Sequence, residues 1–212
     1  GKLLLIGAEN TALFRDALQV RFTGAAARAS AYIPGREVFA DVSGLWQDIE
    51  AGGAQVLATR YPAFDSTRDG SPAATMATLG AGRIAAIHGP LGTVYAQTHA
   101  PETRHVIGQI VRQVHPPAVE VECPPVIEVV RRRQGGRNVL HLLNASGMQL
   151  ASDYGAIDYV PPAGPIRVTL RLPERPRRVT LEPGGQELKG AWRDGAWTAT
   201  IPRLDLHAML VW

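Results

Sequence analysis

The hydrophobic pattern of the chain changes its period near His115-Pro116-Pro117. Before this point, apolar runs that suit strands alternate with amphipathic stretches that suit helices. After it, short segments alternate between apolar and polar residues and are separated by turns rich in glycine, proline and aspartate. Because the two patterns require different layers of packing, we predict two domains, residues 1–117 and residues 118–212.

The first half combines strand and helix signals. A strand is predicted at Leu3–Ile6 before Gly7, and others are predicted at Val38–Val42, Gln55–Thr59 and Arg83–His88. Helices are predicted at Ala12–Phe22 and Pro101–Val114, the second with proline at its first position. Strands that alternate with helices predict an α/β domain of flavodoxin or glutaminase type with a mostly parallel sheet.

The pattern of the second half predicts an all-β antiparallel sandwich. Residues Ile166–Leu172 show the clearest alternation of apolar and polar residues in the chain. Two hairpin turns are indicated, one at Gln134-Gly135-Gly136-Arg137 and one at Asp194-Gly195. About eight short strands with regular turns are typical of a sandwich.

Charge and hydropathy exclude two classes of partner. The 22 Lys and Arg residues exceed the 19 Asp and Glu residues by three, and the excess is not concentrated in either half. We therefore expect no nucleic-acid binding, which needs a concentrated basic face. No apolar run approaches the about 18 residues that span a bilayer, so no membrane partner is expected. The run after Lys2 is too short for a signal peptide, and we predict a cytoplasmic location.

A search for reactive centres finds no established motif. The single cysteine, Cys123, lies beside Pro124-Pro125 without a following helix that would lower the pKa of its thiol, so it is not expected to be a nucleophile. No nucleophile elbow, phosphate-binding glycine loop or His-Glu-x-x-His motif occurs. We therefore predict no catalytic residue, no metal site and no cofactor in this chain.

Three polar residues could still share one edge of the first domain. Glu9, Asp65 and His88 each follow a predicted strand, and ligand sites in open α/β sheets lie at the carboxyl ends of strands. One hypothesis is a ligand-binding site, or a small stand-alone hydrolase, on this rim. The other is that these residues only cap turns and fill loops.

The tryptophans allow two interpretations as well. Trp46 lies near Asp48 and Glu50, and tryptophan with acids is common in sugar sites, although ordinary packing is the simpler explanation. Trp192, Trp197 and Trp212 fall in predicted sandwich strands, where they would be core or interface residues or a platform for carbohydrate. A carbohydrate-binding module is therefore a further alternative.

An ordered series in the middle of the chain resembles a known family. It comprises the run Gly80–Gly92, the segment Pro101–His105 with its helix, the pair Pro124-Pro125, the glycine turn after Arg133, and His141–Asn144. This series is similar to the C-terminal region of multidomain glycoside hydrolases, in which a catalytic barrel is followed by a glutaminase-like domain and a small β-sandwich. In family forty-two enzymes the glutaminase-like domain is called the β-galactosidase trimerisation domain.

The resemblance implies a role without a reactive centre. In that family the glutaminase-like domain has lost its nucleophile and mediates subunit contacts, while two catalytic glutamates lie in the barrel. The abrupt start at Gly1 and Lys2 suggests a piece of a longer polypeptide. We therefore expect a non-catalytic C-terminal portion of a glycosidase that serves assembly and shapes the active-site entrance. Its expected partners are the N-terminal barrel, further copies in a homo-oligomer, and the carbohydrate substrate of the parent enzyme.

Overall fold

The computed structural model describes residues 1–146 and 159–212 of the chain. Contacts among these residues divide the protein into two units, Gly1–Pro116 and Pro117–Trp212. Each unit has its own hydrophobic core, and the two are described separately below.

The first unit, which is described throughout, contains eight strands and three helices. In chain order they are β1 (Lys2–Ile6), α1 (Ala8–Ala12), a 3₁₀ turn (Arg15–Ala17), β2 (Arg21–Phe22), β3 (Ala27–Pro34), β4 (Phe39–Trp46), β5 (Ile49–Glu50), β6 (Gln55–Arg60), β7 (Ser71–Leu79), β8 (Gly82–Ile87), α2 (Leu91–Thr98) and α3 (Pro101–Val114). The strands at β1, β6 and β8 and the long helix α3 were expected from the sequence.

The main sheet of this unit is mixed, which corrects the expectation of a mostly parallel sheet. Its strand order is β1-β8-β7-β6, and only β1 and β8 run parallel. Strand β7 pairs antiparallel with both of its neighbours, because a tight turn at Gly80 joins it to β8 as a hairpin. The strand signal at β7 is weak, since small and polar residues such as Ala74 and Thr75 occupy its buried centre.

Two further segments differ from their predictions. The expected helix at Ala12–Phe22 is replaced by the short helix α1, the 3₁₀ turn and strand β2. Gln19 adopts a positive φ of 55°, which interrupts any continuous helix there. The predicted strand at Val38–Val42 lies partly within β4, which forms an eight-residue hairpin with β3. Its partner β3 was missed because the alanine-rich sequence shows little alternation.

Helix α3 closes the main core of the first unit. Its residues Val106, Ile110 and Val114 recur at a spacing of four and are buried against the sheet, as the periodicity predicts. They belong to the same apolar cluster as Ile87 of β8 and Trp46 of β4. The helix therefore ties the hairpin β3–β4 to the main sheet.

The second unit, described except for residues 147–158, contains two antiparallel sheets. Its strands are β9 (Val119–Glu122), β10 (Ile127–Gln134), β11 (Arg137–Asn144), β12 (Ile166–Arg171), β13 (Thr180–Glu182), β14 (Gln186–Glu187), β15 (Ala191–Arg193), β16 (Ala196–Ile201) and β17 (His207–Val211). One sheet has the order β10-β11-β17-β13-β14, and the other has the order β15-β16-β12-β9.

The sandwich core forms as the alternation predicts. Leu142, Val168 and Leu170 are fully buried between the two sheets. Both predicted hairpins are confirmed, since Gln134 pairs with Arg137 and Arg193 pairs with Ala196. Core packing also accounts for the tryptophans at 192, 197 and 212, which all contact this cluster.

We predict that Leu142→Ala destabilises the protein by about 2–5 kcal/mol, because truncation of a fully buried leucine leaves a cavity. Urea unfolding followed by fluorescence measures the loss. The matched control is Val130→Ala on the neighbouring strand, where the side chain is 38% exposed and the loss should be much smaller. Equal losses in the two variants would contradict the assigned faces of β11 and β10.

Candidate functional site

Three strands of the first unit point their carboxyl ends toward the same edge of the main sheet. Strands β1 and β8 are parallel, and β6 has the same direction because it pairs antiparallel with β7, which pairs antiparallel with β8. Glu9, Asp65 and His88 follow these three strands. We call this edge, with the residues that directly follow it, the strand-end rim.

His88 lies beneath the rim and not on its surface. Its residue is fully buried, and its Nε2 forms a 2.8 Å hydrogen bond with the Oγ1 of Thr75 on β7. The ring of Phe22 packs edge-on against it, with centroids 6.5 Å apart. Its Nδ1 has no hydrogen-bond partner among the described residues. Burial, with a smaller contribution from the positive charge of Arg60, lowers the pKa of His88 to about 4.

The backbone of His88 joins two layers of the unit. Its N–H donates to the carbonyl of Ala73 at 2.9 Å, which extends the β7–β8 pairing by one residue. Its carbonyl accepts a 2.9 Å hydrogen bond from the backbone N–H of Gln47, just after β4. Gly89 follows, and a Cβ atom there would lie 2.2 Å from the Trp46 ring. Glycine is therefore required for this approach of β8 to β4.

Arg60, the last residue of β6, is the second buried polar group. Its guanidinium lies over the Trp46 ring, with the central carbon 4.5 Å from the ring centroid. Its Nη2 donates to the Oδ1 of Asp48, whose side chain is 61% exposed, whereas that of Arg60 is 10% exposed. Burial lowers the pKa of Arg60, and the charge of Asp48 opposes this effect. The Nε atom of Arg60 is buried without a partner among the described residues.

Asp65 and Glu9 lie at the rim but form no hydrogen bond with His88 or with each other among the described residues. Asp65 accepts hydrogen bonds from the backbone N–H and the hydroxyl of Thr67, at 2.9 and 2.6 Å. These bonds, with the nearby Arg68, lower the pKa of Asp65. Glu9 is exposed in the single turn of α1. A ligand role for the three residues stays a prediction, because the fold brings the strands together but buries His88.

The burial of Arg60, Thr75 and His88 in one region is not visible in the sequence. The sequence indicates only that His88 follows a strand and that Asp48 is a neighbour of Trp46. Thr75 lies in the unrecognised strand β7, and nothing in the sequence indicates that Arg60 is buried. A charged residue at the end of an apolar strand was the only signal available.

An aromatic cluster covers the loop that follows β6. Phe64 packs on Tyr32 with ring centroids 4.0 Å apart, and Phe39 meets Phe64 edge-on at 6.1 Å. Tyr32 and Tyr61 exchange two backbone hydrogen bonds, of 3.0 and 2.8 Å, which fix the loop to the hairpin β3–β4. The Phe64 side chain nevertheless stays 62% exposed. The rim therefore presents a large apolar side chain on a fixed base.

Other candidate chemistry is limited in the part of the chain that the structure describes. Among those residues, no group of three or more His, Cys, Asp and Glu side chains could hold a metal ion. Burial raises the pKa of the Cys123 thiol, which packs against the sandwich core. None of the described helices combines the length and the apolar character needed to cross a bilayer.

Comparison with known proteins gives structural neighbours only. No protein-family model matches the chain, and no curated protein sequence matches it. The fold is similar to α-L-fucosidase isoenzyme 2 from Paenibacillus thiaminolyticus, with a TM-score of 0.73 and 20% sequence identity, over 100% of this chain and 36% of that one. It is also similar to Gan42B, a GH42 β-galactosidase from G. stearothermophilus, with a TM-score of 0.51 and 13% identity, over 94% of this chain and 24% of that one.

Both neighbours are glycoside hydrolases, and the chain spans about a third or less of the length of either. At these identities the similarity establishes the fold, which the chain shares with part of each larger enzyme. The substrates named for those enzymes belong to those enzymes, and the similarity by itself does not extend them to this chain.

We predict that the protein loses about 2–3 kcal/mol of stability between pH 7 and pH 4.5 through His88. The pKa of His88 is near 6.5 when unfolded and about 4 when folded, so below pH 6.5 the unfolded chain binds a proton that the folded chain excludes. Urea unfolding at the two pH values measures this loss. In His88→Gln, which keeps a donor for Thr75, this part of the pH dependence should vanish, and an unchanged pH dependence would contradict the assignment.

We predict that Asp48→Asn destabilises the protein by about 1–3 kcal/mol, because it leaves the buried guanidinium of Arg60 without a carboxylate. Thermal unfolding compares it with Glu50→Gln, which removes the partner of Arg21 in a pair where both side chains are more than half exposed. The exposed pair should contribute about 0–1 kcal/mol. A larger loss in Glu50→Gln than in Asp48→Asn would reverse the expected order.

Proposed function

We propose that this chain is a non-catalytic portion of a glycoside hydrolase that serves subunit assembly and shapes the entrance to the active site of a catalytic domain outside the chain. The observation that carries the proposal is structural: the whole of this chain is similar in fold to a portion, about a third, of a larger fucosidase. A piece that folds in the same way inside a larger glycosidase is suited to an accessory role.

The buried state of His88 supports the same proposal. A general acid or base must come within hydrogen-bond distance of the substrate, and this ring is enclosed by Thr75, Phe22 and the β4 segment. The Arg60–Asp48 pair and the Arg60–Trp46 contact likewise fix one strand end to another. We infer that this polar cluster holds the rim loops in place.

The loop after β6 is the part of the rim that we assign to assembly. Phe64 is supported from below by Tyr32 and Phe39, so it presents apolar area with little conformational freedom to lose on contact. Aromatic side chains of this kind are enriched in protein interfaces. We further infer that the first unit corresponds to a glutaminase-like domain of the trimerisation type, and that the complete enzyme is a homo-oligomer.

We predict that Phe64→Asp, made in the complete polypeptide that contains this chain, lowers the mass of the assembly to that of a smaller oligomer. The physical reason is that a carboxylate in an apolar contact would be desolvated without a partner. Light scattering after size-exclusion chromatography measures the mass, and glycosidase assays report whether the active site changes with it.

The matched control is Leu79→Asp. Leu79 is 51% exposed at the β7–β8 turn, at the opposite edge of the sheet from the rim. The Leu79→Asp variant should leave the mass of the assembly and the glycosidase activity unchanged. If Phe64→Asp folds but retains both the assembly and the activity of the parent enzyme, the proposed role of the rim is wrong.

A further inference from the structure

Two histidines lie side by side on one face of the second unit. His141 of β11 and His207 of β17 bring their Nδ1 and Nε2 atoms to 3.1 Å, and their ring planes are within 4° of parallel. The neighbours Leu140 and Leu142 are fully buried, so the alternation of β11 directs His141 to the opposite, outer face of the sheet. His207 is exposed. Both rings are therefore accessible from the same side.

Met209 completes a group of three on this face. The register of β11 and β17 places Met209 directly opposite His141, where Cβ atoms are about 4.5–5.5 Å apart. It is also two residues after His207 on the same strand, so the two share a face. Its neighbours Ala208 and Leu210 are buried in the sandwich core. One thioether and two imidazoles therefore occupy neighbouring positions on the outer face.

Carboxylates stand on both sides of this group. Glu128 lies opposite Leu143 on β10, and Glu182 lies opposite Met209 on β13, so the register places both on the outer face. Arg132 of β10 is on the same face, two residues along that strand from Val130, which pairs with His141. The two acids give the face a local negative charge that attracts cations.

The spacing of the two nitrogen atoms suits a shared metal ion. Imidazole nitrogens bind at about 2.0–2.1 Å, which places two of them about 3.3–3.6 Å apart in tetrahedral or trigonal geometry. From the observed 3.1 Å, the two nitrogens must separate by a few tenths of an ångström, and each ring must turn so that its lone pair points at the ion. A thioether as third ligand selects a soft ion.

We propose that His141, His207 and Met209 form a binding site for monovalent copper. Without metal, one ring donates its N–H to the other nitrogen across the 3.1 Å contact. When the ion binds, that hydrogen leaves the space between the rings, and the donor ring carries it on its other nitrogen. Both facing nitrogens then offer lone pairs to copper, and Met209 supplies sulfur. No electron transfer is involved, because copper is supplied and bound in its reduced form.

The test is a titration of the full chain with Cu(I) under anaerobic, reducing conditions, in competition with a chromophoric Cu(I) chelator. Cys123 is replaced by serine in every sample, because its thiol is a soft ligand outside the proposed site. One equivalent of Cu(I) should bind and raise the thermal unfolding temperature, since the ion links β11 to β17.

Three variants separate this site from unspecific uptake. His141→Ala and His207→Ala should each weaken Cu(I) binding about tenfold or more, since each removes one of three ligands. Met209→Leu keeps the shape of the side chain and should weaken Cu(I) binding similarly, while Zn(II) binding to the two imidazoles is unchanged. His99→Ala, far along the chain in the first unit, is the control and should bind as the parent does.

Three results would overturn the proposal. They are the absence of Cu(I) uptake, uptake that survives His141→Ala or His207→Ala, and equal Cu(I) affinity in Met209→Leu and the parent protein. The circular dichroism spectrum of each variant, recorded without metal, shows that lost binding is not lost folding. The side chains of His141, His207 and Met209 face outward from the sandwich, so the variants at these three positions should fold.

Discussion

The first unit depends on the way in which strand β8 ends. At His88 the backbone pairs on one side with Ala73 of β7 and on the other with Gln47 after β4, so one residue joins the main sheet to the hairpin β3–β4. This arrangement places an imidazole in the core, where it stays neutral and bonds to Thr75. The absence of a Cβ at Gly89 allows Trp46 to pack directly against the chain that follows.

The close packing of the strand ends against Trp46 also explains why polar groups are found under the rim. Arg60 ends β6 at one side of the main sheet, and its guanidinium lies over the Trp46 ring. A buried charge needs a partner, and Asp48 supplies it from a more exposed position. The cluster therefore costs desolvation energy but fixes the positions of three strand ends. In the assembly role that we propose for the rim, this rigidity would reduce the conformational entropy lost on binding.

The second unit is held together by one apolar core between two antiparallel sheets. On strands such as β12 the apolar residues alternate with polar ones, so the strand presents one buried face, and the two sheets close over one core. The outer face is then free to carry groups that the core does not need. The contact between His141 and His207 is of this kind, because both residues lie on strands whose buried neighbours already specify the register.

Part of the fold could be predicted from the sequence, because those features depend only on residues that are close together along the chain. Alternation at Ile166–Leu172, the turn at Asp194-Gly195 and the four-residue spacing in α3 each act within one element, and the structure contains all of them. The mostly parallel sheet was wrong because Ser71–Leu79 has small side chains and no clear pattern, so the strand that reverses the sheet was missed. Strand direction depends on which segments pair over long distances. The burial of His88 and Arg60 and the contact between His141 and His207 have the same origin, since only the tertiary pairing decides which residues of distant segments come together.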